Sequence, residues 1–148
     1  GTAVFMHKDP NGTPPALLHN LKHNRVLHRR VVLLSVVTLD VPYLTDDDRL
    51  SVVKVADDLY KIVASYGFAE SPHVPSILEG CGESGLAFDM MQTTFFLSHE
   101  TLVAQQKGGM ARWRQQLFGR MSRNSLQPTA YFGIPPNRVV ELGMQVQL

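Results

Sequence analysis

The sequence predicts an α/β domain: a mainly parallel central sheet with an antiparallel hairpin and flanking helices. Three observations carry that expectation. The chain opens strand–helix–strand, with Thr2–Met6, a proline-led helix and the unbroken apolar run Val31–Leu39, the order expected of a right-handed parallel unit. Two further strand-like runs, Leu50–Val55 and Leu59–Tyr66, face each other across the short turn Ala56-Asp57-Asp58, as an antiparallel hairpin does. Finally, Met110, Trp113, Leu117 and Met121 recur at helical spacing within Met110–Arg123, so one face of that helix is apolar.

The elements follow in order. Thr2–Met6 is a short strand, broken by the turn-rich stretch His7–Pro15. Thr13 and the following prolines then open a helix, proline being tolerated in a first turn. Leu17, Leu18 and Leu21 are expected to form its apolar face and Asn24 to end it. The hydrophobicity of Val31–Leu39 suits a strand covered on both sides. Val41–Asp48, with Pro42 and three consecutive aspartates, reads as a loop before the hairpin, which Tyr66-Gly67-Phe68 closes. Ser71–Val74 is extended, Pro75–Glu79 a short helix and Gly80–Gly85 a flexible loop. Ala87–Phe96 is a strand candidate, Gly108-Gly109 precedes the Met110–Arg123 helix, and Val139–Leu148 is expected to end in a last strand. With no internal repeat and no dividing linker, residues 1–148 are expected to be a single domain.

The 148 residues are 44% apolar and 18% charged, with one cysteine. That composition excludes disordered, collagen-like and coiled-coil chains. Cys81 alone can form neither an internal disulfide nor a cysteine-based zinc site, which favours a reducing compartment. A membrane-spanning helix needs ~20 mainly apolar residues, and the longest apolar run ends at Arg30 and Asp40. No signal peptide is recognisable in the first residues. The sequence is therefore expected to be a soluble piece, and one belonging to a longer chain, because it opens on strand-like residues without a methionine.

Charge is unevenly placed. Between Asp40 and Asp89 ten acidic residues face three basic ones, whereas the remainder holds eleven basic and three acidic, giving the overall +1. Arg112, Arg120 and Arg123 share one helical stripe with Gln116, and Arg25, Arg29 and Arg30 cluster earlier. Such asymmetry suits an anionic lipid surface, a nucleotide or a solvated face. Nucleic acid is not expected, since no aromatic-rich basic platform or recognition helix is present.

The short motifs point to no enzyme, cofactor or metal. Gly80-Cys-Gly-Glu-Ser-Gly85 matches G-x-G-x-x-G, but the dinucleotide fingerprint needs a strand before it and a helix after it. Here the order is reversed. His19 and His23 stand at i, i+4, a spacing at which two imidazoles can share a metal, yet no third ligand is evident. Ser98-His99-Glu100 holds triad letters in adjacent positions, whereas a triad converges from separate segments. Cys81 lacks a neighbouring base, and Asp46–Asp48 reads as a hydrophilic loop. Pro135 and Pro136 stiffen the approach to the last strand, with Asn137 turning it. Arg138 is a candidate for pairing at a subunit interface, with a structural acid or on a phosphate, roles that suit a guanidinium better than an ammonium.

Longer stretches carry a resemblance. Ala16-Leu-Leu-His-Asn-Leu-Lys-His-Asn-Arg-Val-Leu-His28 with Arg30-Val-Val-Leu-Leu-Ser35, Thr93-Thr-Phe-Phe-Leu-Ser-His-Glu100 and Ile134-Pro-Pro-Asn-Arg-Val-Val-Glu-Leu-Gly143 are three. With Gly1–Met6, Tyr66-Gly67-Phe68 and Trp113-Arg114, these resemble the cytosolic C-terminal domain of KUP/HAK/KT potassium uptake transporters. The resemblance implies an α/β fold similar in outline to universal stress proteins. It also implies a potassium- and proton-conducting membrane domain elsewhere in the protein, which is the expected partner. This part would lie on the cytoplasmic face of the bacterial inner membrane, without catalysis, and serve regulation or homodimerisation. Some relatives are inhibited by cyclic di-AMP, which makes nucleotide sensing the alternative; a free-standing α/β enzyme is a third. His99 stands where many members have arginine and Phe96 where tyrosine is frequent, so ligand contacts made there are not carried over. The interface or ligand candidates are thus Asn137, Arg138, Arg112, Arg120 and Arg123, the arginine stripe facing lipid headgroups or solvent.

Overall fold

The computed structural model describes residues 1–103 and 132–147. The expected opening is present: strand β1 (Thr2–Met6), helix α1 (Pro15–His19) and strand β2 (Arg30–Leu39), with β1 and β2 paired in parallel, Thr2 opposite Arg30 and Met6 opposite Leu34. The hairpin follows as β3 (Leu50–Ala56) and β4 (Leu59–Gly67), antiparallel, with Ala56 opposite Leu59. Its turn relies on Asp58 at φ 57°, a left-handed conformation that Asp tolerates better than most residues. Helix α2 (Val74–Gly80), strand β5 (Thr93–Val103) and strand β6 (Val139–Gln147) complete the described elements.

The six strands lie in the order β3-β4-β2-β1-β5-β6. Only β3 is antiparallel; β4 to β6 run the same way. Moving outward from β1 the chain fills one side of the sheet and then returns to fill the other, the reversal that defines a doubly wound α/β sheet. The expected α/β class is therefore present, with its antiparallel strand at one edge.

Each face has its own core. On one, Val4, Val32, Leu34, Ile62, Ala64 and Phe95 pack with Val74, Ile77, Leu78 and Cys81 from the α2 region. On the other, Ala3, Phe5, Val31 and Phe96 pack with Ala16 and Leu17 of α1. There the rings of Phe5 and Phe96 stack with centroids 4.6 Å apart.

Three expectations are corrected. Leu18 and Leu21 do not share the buried face of the first helix: both are exposed, and Ala16, Leu17 and Asn20 are buried instead. After His19 the helix widens into a π turn over Asn20–Asn24, which shifts the phase of every following side chain. Asn20 Nδ2 donates to the Val26 carbonyl at 2.8 Å and Oδ1 accepts from Asn24 Nδ2 at 2.8 Å, fixing the turn up to a left-handed Arg25 (φ 54°). The strand expected over Ala87–Phe96 starts only at Thr93, because Asp89 caps a 3-10 turn over Met90–Gln92 by accepting from Met91 N. Thr93 Oγ1 then donates back to the Asp89 carbonyl at 2.7 Å. Gly80–Gly85 is no open loop either: Cys81–Ser84 continue α2 as a 3-10 helix, ended by Gly85 at φ 77°. The Met110–Arg123 helix lies outside the described residues.

Candidate functional site

Arg112, Arg120 and Arg123 also lie outside the described residues. Asn137 and Arg138 fall in a 3-10 turn, Pro136–Arg138, where Arg138 N donates to the Pro135 carbonyl at 3.0 Å. This is the proline-stiffened approach to β6. Asn137 is exposed and Arg138 half-buried. The Arg138 Nε is buried and has no hydrogen-bond partner among the described residues.

Other sequence candidates resolve into structure. Gly80–Gly85 follows a helix and precedes β5, and a Cβ placed on Gly82 or Gly85 would meet no atom. Nothing there makes the close backbone approach that a phosphate cradle needs. Cys81 is fully buried, donates from Sγ to the Ile77 carbonyl at 3.2 Å, and has its thiol pushed up to about 11 by desolvation. A thiol so held is not a nucleophile near neutrality. The rings of His19 and His23 stack 5.6 Å apart, and no group of three metal-ligating side chains gathers among the described residues. Asp46–Asp48 form a 3-10 turn, and Asp46 Oδ1 accepts from Arg49 Nε at 3.3 Å.

A densely hydrogen-bonded polar cluster is one that sequence reasoning missed. At the carboxyl end of β4, Glu70 Oε1 accepts from Arg49 Nη2 at 2.7 Å. Its Oε2 accepts from Gly67 N at 2.6 Å and from Leu44 N at 3.3 Å. Arg49 Nη2 also donates to the Leu44 carbonyl at 3.0 Å, and the guanidinium lies 4.8 Å from the Tyr66 ring centre. The hydrogen bond from Arg49, then that from Gly67 N, holds the Glu70 carboxyl below its ordinary range. In turn the bond to Glu70 raises Arg49. With these valences mutually satisfied, the cluster is a clasp that closes the 41–49 loop over the sheet.

The opposite end of the sheet is different. A cavity of about 380 Å³ opens there, lined by Gly1, Thr2, Arg29, Arg30, Asp58 and Asp89 among others. Arg30 Nη1 donates to the Ala87 carbonyl at 2.9 Å, while its Nε and the neighbouring His28 Nδ1 are buried without a partner among the described residues. His28 packs edge-on against Phe96 at 5.7 Å, and desolvation lowers its pKa. Two arginines facing two carboxylates make a mixed site, at the small end of ligand-pocket volumes. The sequence signal for it was the Arg25, Arg29, Arg30 cluster.

The geometry thus defines a doubly wound α/β domain. Comparison with known proteins identifies its class: residues 1–148 match the family model described as the K+ potassium transporter C-terminal domain, and the chain belongs to that family. It is 53% identical over 148 residues to "Probable potassium transport system protein Kup" of Myxococcus xanthus, covering 100% of this chain and 23% of that protein. To a Kup 2 protein of Chromobacterium violaceum, described in the same words, it is 51% identical, covering 100% of this chain and 24% of that one. A third such Kup protein, of Thiobacillus denitrificans, is 52% identical over 149 residues, 100% of this chain and 24% of that protein. The chain therefore spans about a quarter of the length of these relatives. No solved structure matches it. Among the described residues no helix is long and apolar enough to cross a membrane.

Proposed function

We propose that this chain is a cytosolic regulatory and dimerisation domain of a proton-coupled potassium uptake transporter, borne on the inner face of the bacterial inner membrane. It acts as one domain over 1–148 and performs no catalysis of its own. The match of all 148 residues to a transporter C-terminal domain carries this reading. The closed Arg49–Glu70 clasp and the inert Cys81 support a scaffold rather than a reaction centre. Arg138, whose buried Nε has no partner among the described residues, is the residue assigned to intersubunit pairing, with Asn137 beside it. Arg112, Arg120 and Arg123 are assigned to anionic headgroups.

Light scattering of the domain across concentration, with and without cyclic di-AMP, tests the assembly part. A ligand-independent dimer that Arg138→Ala weakens is expected. A change in mass or melting only with the nucleotide replaces this reading by nucleotide sensing, since a ligand selective for one state must stabilise that state. Potassium uptake by the full-length protein with this domain deleted tests regulation: altered control is expected, and unchanged uptake and control would remove the regulatory role.

A further inference from the structure

We infer that the segment from Leu18 to Arg29 is a docking surface for an anionic lipid bilayer. The inference rests on the chain's belonging to a membrane transporter, and it is distinct from the arginine stripe considered above.

Four large apolar side chains crowd this segment in exposed positions: Leu18 is 53% exposed, Leu21 42%, Val26 55% and Leu27 58%. They are exposed for a structural reason. Ala16, Leu17 and Asn20 make the buried face of the helix, which leaves Leu18 on its far side, and the π turn at Asn20–Asn24 rotates Leu21 off the core. Between them stand His19, Lys22, His23 and Arg25, and beside them Arg29, all exposed. No acidic residue occurs between Asp9 and Asp40. Apolar side chains interleaved with basic ones and no acid are the composition that lies in a bilayer interface, the former among acyl chains and the latter on headgroups.

Position agrees with composition. The segment descends to Arg30, whose N–H donates to the Gly1 carbonyl at 3.3 Å, at the amino end of the parallel strands. The acidic groups Asp40 and Asp46–Asp48 follow the opposite, carboxyl end of β2. At the near end Asp58 and Asp89 line the cavity with Arg29 and Arg30, leaving Lys22 and Arg25 unopposed by any acid of their own segment. The feature that suits an anionic surface is therefore the segment itself, where exposed apolar and basic side chains interleave without an acid.

The test uses the full-length transporter carrying this domain, reconstituted in bilayers of phosphatidylglycerol or of phosphatidylcholine. A spin label is placed at Leu27→Cys, or at Tyr43→Cys as a reference on the far end. Both sites are exposed, so the labels leave the core intact. In phosphatidylglycerol, the Leu27 label is expected to be reached by oxygen in preference to a water-soluble nickel chelate, and the Tyr43 label the reverse. Each basic residue near an anionic surface is worth roughly a fivefold partition. Replacing Lys22, Arg25 and Arg29 by Gln should thus weaken docking on the order of a hundredfold and return the Leu27 label to the aqueous pattern, as should phosphatidylcholine or 1 M salt. Aqueous access at Leu27 in phosphatidylglycerol overturns the proposal. Protection that persists in phosphatidylcholine and high salt overturns it too, by assigning the patch to a protein partner. Neither outcome depends on whether the domain regulates or dimerises, which uptake and light scattering read separately.

Discussion

Replacing Gly67 by alanine should strip the clasp from the sheet. Gly67 ends β4, and a Cβ there would overlap the Pro42 carbonyl and sit 2.6 Å from Tyr43 N. All the clashing atoms are backbone, so no rotamer relieves them and the 41–48 loop must move. Overpacking of this kind costs roughly 1–3 kcal/mol. Loop movement also weakens the bonds from Phe68 N to the Val41 carbonyl at 2.8 Å and from Ala69 N to the Pro42 carbonyl at 3.2 Å, each worth about 1 kcal/mol. A loss of about 3 kcal/mol follows, read as a lower urea midpoint at unchanged m value. At about 2–4 °C per kcal/mol for a chain of this size, the melting temperature should fall by roughly 6–12 °C. Two other glycines separate space from backbone conformation. Gly82→Ala meets no atom and should be neutral or stabilising by about 0.4–1 kcal/mol. Gly85→Ala is equally uncrowded but sits at φ 77°, and should cost roughly 1–2 kcal/mol. A Gly67→Ala protein within about 0.5 kcal/mol of wild type, or no worse than Gly82→Ala, would refute the reasoning.

Three further outcomes are expected. Cys81, buried with its thiol at about 11, should be alkylated at pH 8 only as fast as the domain unfolds; rapid labelling under native conditions would show an open site. The Glu70 carboxyl is held below its ordinary range by Arg49 and Gly67 N, so its contribution is complete above the ordinary glutamate value near 4.5 and is lost as pH falls through its folded value. Urea midpoints from pH 7 to 3 should therefore converge for wild type and Glu70→Gln, and parallel curves would argue against the clasp. Phe95, fully buried in the larger core, should cost about 3–5 kcal/mol on change to alanine, a loss measured by the same unfolding curves and contradicted by a value below about 1 kcal/mol.

Local signals made most of the sheet legible. Val31–Leu39 is apolar without interruption, and β2 lies between β1 and β4, away from both sheet edges. Leu50–Val55 and Leu59–Tyr66 alternate around a turn, and they pair as β3 and β4. The failures arose where a side chain outvotes periodicity. Leu18 and Leu21 fit an ideal helical face, but Ala16, Leu17 and Asn20 take the core side, and the Asn20 side chain bonds to the Val26 carbonyl within a π turn that carries Leu21 away. Ala87, Phe88, Met90 and Met91 have the apolarity of a strand, yet the Asp89 cap holds Met90 and Met91 in a turn and leaves Met91 exposed. Arg49 and Glu70 are 21 positions apart, and no spacing rule connects them; they meet because β4 carries Gly67 back beside the loop that follows β2. The arginine cluster at Arg29 and Arg30 is visible as composition, but that Arg30 Nε lacks a partner among the described residues is visible only in the folded structure.

The two ends of the sheet differ in a way that indicates where the domain meets other groups. Doubly wound sheets ordinarily bind beyond the carboxyl ends of their strands. At that end of β4, Glu70 already accepts three hydrogen bonds, and Arg49 is engaged by Glu70, Asp46, the Leu44 carbonyl and the Tyr66 ring. A cluster so closed offers a ligand nothing without first being broken. At the amino end the condition is the opposite. Four buried side-chain atoms lack partners among the described residues: Ser98 Oγ lies within β5, and the other three, His28 Nδ1, Arg30 Nε and Arg138 Nε, flank the starts of β2 and β6. The registers Thr2–Arg30, Thr2–Thr93 and Phe95–Val139 bring those starts to one edge. Buried polar groups are seldom left unpaired, so this edge has hydrogen-bonding capacity that the carboxyl end has used up. It is also the edge at Gly1, and the Leu18–Arg29 surface descends to it.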